Sequence, residues 1–370
     1  MPQNCLAPQS YPKFAAMVDE SASSLTPVGQ IGEFGLIDKI TAGFPVFSPD
    51  LVKGVGDDAA VIRMGDEQVL LVSTDLLMEG IHFDLRYVPF KHLGYKSIVV
   101  NLSDIYAMNG IPNSVTVSIA MSSRFTVEAI EELYAGIRLA CSDYGVDLIG
   151  GDTSSSASGL AISVTALGRA HADQVVYRSG AKATDLICVS GDLGAAYAGL
   201  QMLEREKQVF LANPEMQPDL SGRDYVIGRQ LKPTPRKDII EKLKEIGVQP
   251  TSMIDVSDGL SSDLKHLCKA SNTGARIYQQ QMPIDHETVS VADDFNIHEM
   301  TYALNGGEDY ELLFTVPMDR REEIGMLKDV KILGYMTAAE DGLTLVNTET
   351  NQIYDISAKG FDHFNHEVEE

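Results

Sequence analysis

This chain repeatedly puts aspartate beside glycine or serine at the edge of an apolar run. Four segments show it: GVGDDAAVI (Gly54 to Ile62), VLLVSTD (Val69 to Asp75), VDLIGGDTS (Val146 to Ser154) and MIDVSDGL (Met253 to Leu260). NLSD (Asn101 to Asp104) ends an apolar helical stretch, and NGGEDYELLF (Asn305 to Phe314) carries a Glu-Asp pair. Carboxylates on small-residue turns at strand ends are not needed for folding. Gathered in one cleft they repel each other unless cations lie between them. Oxygen-ligand sites for Mg²⁺ are built this way, usually with a phosphate substrate completing the shell.

The runs read as strands at Val69–Ser73, Ser114–Met121, Ala161–Leu167, Leu186–Ser190, Met253–Val256, Tyr310–Val316 and Leu343–Val346. Helical periodicity covers Lys91 to Met108 and Val127 to Tyr144, the second with Thr126 as N-cap and Gly145 just past its end. A third helix is expected from Pro235 to Ile246, with Thr234 as N-cap and Gly247 closing it, and a fourth from Leu260 to Ala270. The fold class is therefore α/β with mixed sheets and no strict βαβ repetition. A polar, strand-poor stretch at His171 to Ala183 divides the chain. The expected organisation is a flexible N-terminal arm (1–30), an N-terminal α/β domain (31–170) and a C-terminal α/β domain (171–370). Gln208 to Gln230, with Pro214 and Pro218, reads as a surface insertion, and the acidic tail HEVEE as solvated.

With 29 basic against 53 acidic residues the net charge is −24. That argues against nucleic acid, whose phosphate backbone demands clustered Lys and Arg, and against an anionic membrane surface. A phosphate ester would have to be held largely through metal. Two like charges at about 4 Å repel by roughly 4 kcal/mol at an effective dielectric near 20. Cys5, Cys141, Cys188 and Cys268 have neither CxxC spacing nor the look of a disulfide framework. No signal peptide is evident, and no apolar run approaches about 18 residues. The expected compartment is the cytoplasm.

Each candidate also has a plainer reading. Gly54–Ala59 fits a loose dinucleotide pattern, but Asp57 and Asp58 would lie against the pyrophosphate and no good strand precedes the turn. Both aspartates also read as turn formers. Ser73, Thr74 and Asp75 put three oxygen side chains in a row at a strand end, which suits a metal better than a cap. Asp104 shares a helix face with Asn101. The glycines before Asp152 let backbone approach a ligand. Asp255, Ser257 and Asp258 alternate into a helix, where Ser257 or Asp258 could serve only as N-cap. His82, Tyr134, Arg178, Glu308 and Phe361 are compatible with packing or surface roles, although an acidic nucleotide site needs some basic groups. No P-loop, HExxH or GxSxG motif is present.

GEFGLIDKI, GVGDDAAVI, STDLLMEGIHF, NLSDIYAMNG, GGDTS, YRSGAK, IDVSDGL, NGGEDYELLF and GFDHF occur in this order. From Gly32 to Phe364 the chain thereby resembles the thiamine-monophosphate kinases, in the superfamily of aminoimidazole ribonucleotide synthetase and selenophosphate synthetase. The resemblance implies transfer of the γ-phosphoryl of ATP to thiamine monophosphate, with several Mg²⁺ ions. By motif position it implies metal ligation by Asp57, Ser73, Thr74, Asp75, Asp104, Asp152, Asp255 and Asp258. It gives ATP contacts to Tyr134, Gly151, Asp152, Arg178 and Ser257, and thiamine phosphate contacts to His82, Glu308 and Phe361. It also implies a homodimer paired through the N-terminal sheet. Position 361 is often Trp in the family; either aromatic can stack on a cationic ring.

The chemistry agrees with the residues. A phosphomonoester is mostly dianionic at neutral pH, so no general base is needed and none is assigned. Alignment and charge neutralisation suffice for direct in-line transfer. The alternatives are a sister ATP-dependent synthetase, a multi-metal phosphatase with water as nucleophile, and a non-catalytic nucleotide-binding regulator. Cys5, in NCLAP, lacks the Gly-rich context a selenophosphate synthetase would need.

Overall fold

Alternation along the strands decides which face each residue joins. The computed structural model describes residues 26–356. Among these, residues up to Phe44 form one unit, containing helix α1 (Gly32–Thr41), and residues from Pro45 form a second. The expectations for Cys5, Phe361, the acidic tail and most of the N-terminal arm lie outside the described residues.

The second unit holds two sheets. The first contains β1 (Leu51–Lys53), β2 (Ala60–Arg63), β3 (Gln68–Met78), β4 (Ile111–Met121), β5 (Asp147–Ser155) and β6 (Leu160–His171), in the order β1-β2-β3-β6-β4-β5. Only β4 and β5 run parallel; the connection between them passes through a helix, as parallel neighbours require. In β6 the alternate residues Ile162, Val164 and Ala166 are buried, packed in one core with residues of helix α2 (Phe90–Ala107). Helix α3 (Val127–Tyr144) crosses α2 at glycines. A Cβ on Gly94 would lie 1.9 Å from the Leu133 carbonyl oxygen, and one on Gly136 1.9 Å from that of Lys91. Thr126 accepts from the Ala129 N–H and Gly145 takes a left-handed conformation, the cap and stop read from sequence.

The second sheet contains β7 (Leu186–Ser190), β8 (Ser252–Asp255), β9 (Thr273–Tyr278), β10 (Leu312–Val316), β11 (Val330–Ala338), β12 (Leu343–Asn347) and β13 (Gln352–Asp355). Its order is β13-β12-β9-β11-β7-β10-β8, antiparallel except for β9 with β12. Strands β7, β8 and β10 are buried on both faces, which explains their continuous apolar runs. The helices are α4 (Ala195–Ala212), α5 (Asp224–Leu231), α6 (Lys237–Glu245), α7 (Leu260–Ser271), α8 (His286–Asp294), α9 (Glu299–Asn305) and α10 (Arg321–Gly325). No helix among the described residues is long and apolar enough to cross a membrane.

Four expectations are corrected. Strand β3 continues to Met78, so Ser73, Thr74 and Asp75 lie in mid-strand rather than at its end. The stretch 208–230 is not all surface insertion: it holds the end of α4 and most of α5, and Val226 and Gln230 are buried. A Cβ on Gly199 of α4 would lie 2.1 Å from the Val226 carbonyl oxygen, so the two helices touch through backbone. Helix α6 begins after Arg236, not at Pro235, because the Arg236 guanidinium is tied to Asp238 and Glu311. In α7 the N-cap is Gly259, at φ 109°, rather than Ser257 or Asp258.

Candidate active site

Carboxylates from three separate segments converge. Asp58 comes from the turn before β2, Asp104 from α2 and Asp255 from the end of β8, with ligand oxygens all within 4.8 Å of one another. Small polar side chains aim them. Ser73 donates to Asp104, and Ser103 donates to Asp255 Oδ2 at 2.6 Å. The Asp75 backbone N–H donates to Asn101 Oδ1 at 3.0 Å, while Asn101 Nδ2 donates to the Ser97 carbonyl. Helix α2 is buried on nearly all sides from Leu93 to Ala107, and Asn101, Ser103 and Asp104 form a polar corner of it against β3 and β8.

Positive charge here is scarce. Arg178 donates through Nε and Nη2 to Asp58 Oδ1 (3.2 and 2.6 Å), and its backbone N–H donates to Asp57 Oδ1. Lys53 Nζ stands 3.4 Å from Asp57 Oδ2, an ion-pair distance without hydrogen-bond geometry. Oδ2 of both Asp57 and Asp58 is buried without a hydrogen-bond partner. Such atoms are costly unless something else binds them.

The titration behaviour follows. Burial pushes Asp58 up to about 7, against the pull of Arg178 and with a further push from Asp255. Burial likewise raises Asp75 and Asp255 to about 6. Asp104 is raised well above the usual carboxylate range, by burial first and then by Asp75, Asp255 and Asp58. Asp263 on α7 is raised in the same way, by burial and then by Asp258 and Asp255. Acids this close together cannot all be charged without cations or protons to offset their repulsion.

Not every sequence candidate joins this group. Asp57 flanks it, and Ser73 and Asp75 face it. The Thr74 side chain does not: its Oγ1 donates to the Val164 carbonyl and accepts from Thr165, on the other face of the sheet. Asp152 is exposed on edge strand β5, where its Oδ1 accepts from the Thr153 N–H. With Tyr134, Gly151 and Val117 it lines a cavity of about 660 Å³. Gly151 is required there, since a Cβ would lie 1.8 Å from the Val117 carbonyl oxygen. Asp258 is close enough to raise both Asp255 and Asp263. The Ser257 carbonyl accepts from the Glu308 N–H at 2.8 Å. His82 Nδ1 accepts from the Met78 N–H. Glu308 meets buried Lys96 at 2.8 Å and the Gln230 amide at 2.7 Å.

Sequence reasoning left Asp58 out of the ligand set, although it weighed the Asp57–Asp58 pair as a turn. It did not single out Asp263, Lys96, Gln230 or Tyr310. A lysine in an apolar helix face was the signal for Lys96. Gln230 gave no comparable signal, because its partner Glu308 lies 78 residues away, whereas Asp263, which accepts from the Gly259 N–H, follows closely on Asp255 and Asp258 and could have been read with them.

Comparison with known proteins points to one family. The model of the family "AIR synthase related protein, N-terminal domain" matches residues 56–170. The thiamine-monophosphate kinase of Buchnera aphidicola subsp. Schizaphis graminum is 36% identical, covering 90% of this chain and 99% of the relative. That of Bacillus subtilis is 33% identical, with the same coverage. A solved structure described as "AaThiL complexed with AMPPCP and TMP" superposes with a TM-score of 0.77 at 31% identity, over 92% of this chain and 100% of the other. The hydrogenase maturation protein HypE in complex with ATP shares the fold alone, at 15% identity and a TM-score of 0.63.

Proposed function

The chain belongs to the thiamine-monophosphate kinase family, and we propose that it transfers the γ-phosphoryl group of ATP in line to the phosphate of thiamine monophosphate. The observation that carries this reading is the convergence of Asp58, Asp104 and Asp255 with too little positive charge to neutralise them. An anionic nucleotide would be expelled from such a site unless cations came with it.

The residues fit Mg²⁺. The donor set is hard oxygen, and the buried Oδ2 atoms of Asp57 and Asp58 accept no hydrogen bond, the first having only Lys53 at ion-pair distance. Asp58, Asp75, Asp104 and Asp255 would hold the ions, with Asp57, Ser73 and Asp258 beside them. Bound there, Mg²⁺ would neutralise the phosphates and the charge that develops on them. Asp58, missing from the set implied by resemblance, is favoured by geometry, and the Thr74 side chain is disfavoured. Arg178 is placed to reach a phosphate while holding Asp58. Tyr134, Gly151 and Asp152 line the cavity suited to the nucleotide, where backbone can approach closely. Glu308 and His82 would receive the thiamine moiety. No side chain need take a proton, because the acceptor is already dianionic near neutral pH.

The reading includes a homodimer in the cytoplasm. Leu76 and Met78 are exposed on the β3 face that also carries Thr74, away from α2, and suit a docking sheet from a second copy. Sedimentation would show that copy as a doubled mass. The decisive assay for activity is incubation with Mg-ATP and thiamine monophosphate. Thiamine diphosphate and ADP should form in equal amounts. ADP or free phosphate without thiamine diphosphate would replace this reading with a phosphatase or a sister synthetase.

A further inference from the structure

The segment between α9 and β10 is held in a conformation that most side chains avoid. Glu308 has φ 64° and Tyr310 φ 53°. Left-handed backbone is uncommon for any residue with a Cβ and an outlier for a bulky one. It persists only where the surroundings over-determine it, commonly at functional sites.

Here the surroundings do so. The Glu308 N–H donates to the Ser257 carbonyl, the Tyr310 N–H to the Val256 carbonyl at 2.9 Å, and the Val256 N–H to the Glu311 carbonyl at 2.7 Å. The segment is therefore laced to the residues that directly follow Asp255. Behind it, Asp309 accepts from the Gly194 and Ala196 N–H groups at the start of α4. Glu311 is gripped by Arg229, Arg236 and Ser190. Asp309 and Glu311 are thus anchored, Glu308 is held by Lys96 and Gln230, and the Tyr310 ring packs against the core, which leaves its hydroxyl as the polar group of the segment still to be answered. The charges that bear on the Tyr310 hydroxyl are those of Glu308, Asp75, Asp255 and Asp104. No hydrogen-bond partner for that hydroxyl is found among the described residues. Glycine would occupy this backbone position without strain, so the tyrosine side chain is present for a reason other than the turn.

We propose that the Tyr310 hydroxyl donates a hydrogen bond to the phosphate of thiamine monophosphate and holds that phosphate in line with the γ-phosphorus of ATP. This deepens the kinase reading above and rests on it. The groups around Tyr310 are acceptors, and an acceptor phosphate needs a donor to fix its direction. In the transfer, an oxygen of the acceptor phosphate bonds to the γ-phosphorus while the bond to the β–γ bridging oxygen breaks. ADP leaves with that electron pair. Tyr310 keeps its proton throughout.

The test is Tyr310→Phe, which preserves the ring and the backbone, with both substrates varied in steady state. Removing one donor aimed at the reacting group costs on the order of a hundredfold. The expected result is a kcat/KM for thiamine monophosphate lower by about 30- to 300-fold, with KM for ATP within about twofold and an unchanged melting temperature. Tyr310→Gly, which relieves the backbone, should lose at least as much turnover. A kcat/KM within about threefold of wild type in Tyr310→Phe would overturn the proposal. So would an equal rise in both KM values with a lowered melting temperature, the signature of a packing residue. Wild-type protein in the same assay distinguishes the two levels. If it makes thiamine diphosphate, a silent Tyr310→Phe overturns this assignment alone; if it makes none, the kinase reading fails and takes the assignment with it.

Discussion

Two clusters of buried acids lie close together on this fold, and they are wired in opposite ways. Around Asp58, Asp104 and Asp255 the acids face each other, and Arg178 is the guanidinium that answers them. Around Asp309 and Glu311 the acids are answered one by one. Glu311 has Arg229 on one oxygen and Arg236 with Ser190 on the other, and Asp309 has two backbone N–H groups at the start of α4. A satisfied network fixes a loop. An unsatisfied one is, on the proposed reading, where cations would bind. The difference between structural and functional acids here lies in the partners, since residue type and burial are shared.

The contrast is broken most severely by removing a charge from each side. Asp104→Asn should lower turnover on the order of a thousandfold at saturating Mg²⁺, the scale of losing a key electrostatic contact. Melting of the metal-free variant should be unchanged or higher, because a repulsion has been removed. Near-wild-type kcat would refute its place in the site. Glu311→Ala should do the reverse to stability. It takes the shared carboxylate from two largely buried guanidinium groups, leaving Arg236 with Asp238 and Arg229 with backbone carbonyls, a loss of about 3 kcal/mol, measurable by urea unfolding. A loss below about 1 kcal/mol would mean that the second cluster does not anchor the segment.

Acidity sharpens the comparison at smaller scale. Burial holds Asp58 near 7 and Asp75 and Asp255 near 6, above their unfolded values of about 4. The metal-free folded protein therefore binds more protons than the unfolded chain in that window. Its stability should be greatest below about pH 4 in these groups' contribution and fall as pH rises toward 7. Melting in EDTA should drop between pH 5 and 7.5, roughly the span of these shifts, and Asp58→Asn should flatten the slope. Added Mg²⁺ should restore the loss at the higher pH. A melting temperature that rises with pH in EDTA and is indifferent to Mg²⁺ would contradict the cation-receptor reading. The smallest effect belongs to a site far from either cluster. Thr126→Ala removes the α3 N-cap and should cost about 1 kcal/mol with unchanged kinetics.

Much of the fold was legible because its signals are local. Strand β7, buried on both faces, and helix α3, with a cap at each end, match the bounds read from the residues. Strands β5 and β11 were missed for a local reason as well: Gly150 and Gly151 interrupt one and Gly334 the other. At Gly151 and Gly334 a neighbouring backbone closes in: a Cβ would lie 1.8 Å from the Val117 carbonyl oxygen at the first and 1.9 Å from that of Arg276 at the second. Helix α5 was hidden inside a stretch that looked like an insertion. Its burial depends on contact with α4.

For the site, sequence alone determined the inventory: which carboxylates exist, the motifs that carry them, and hence the family resemblance. A carboxylate's identity is a property of the chain. Its role is set by what lies within a few ångströms, and those neighbours are distant in sequence. Only the tertiary structure could bring Asp58 into the cluster, turn the Thr74 side chain to the other face and give Glu308 to Lys96 and Gln230. Only packing could hold Tyr310 at a positive φ beside the acids, since local propensity opposes that conformation.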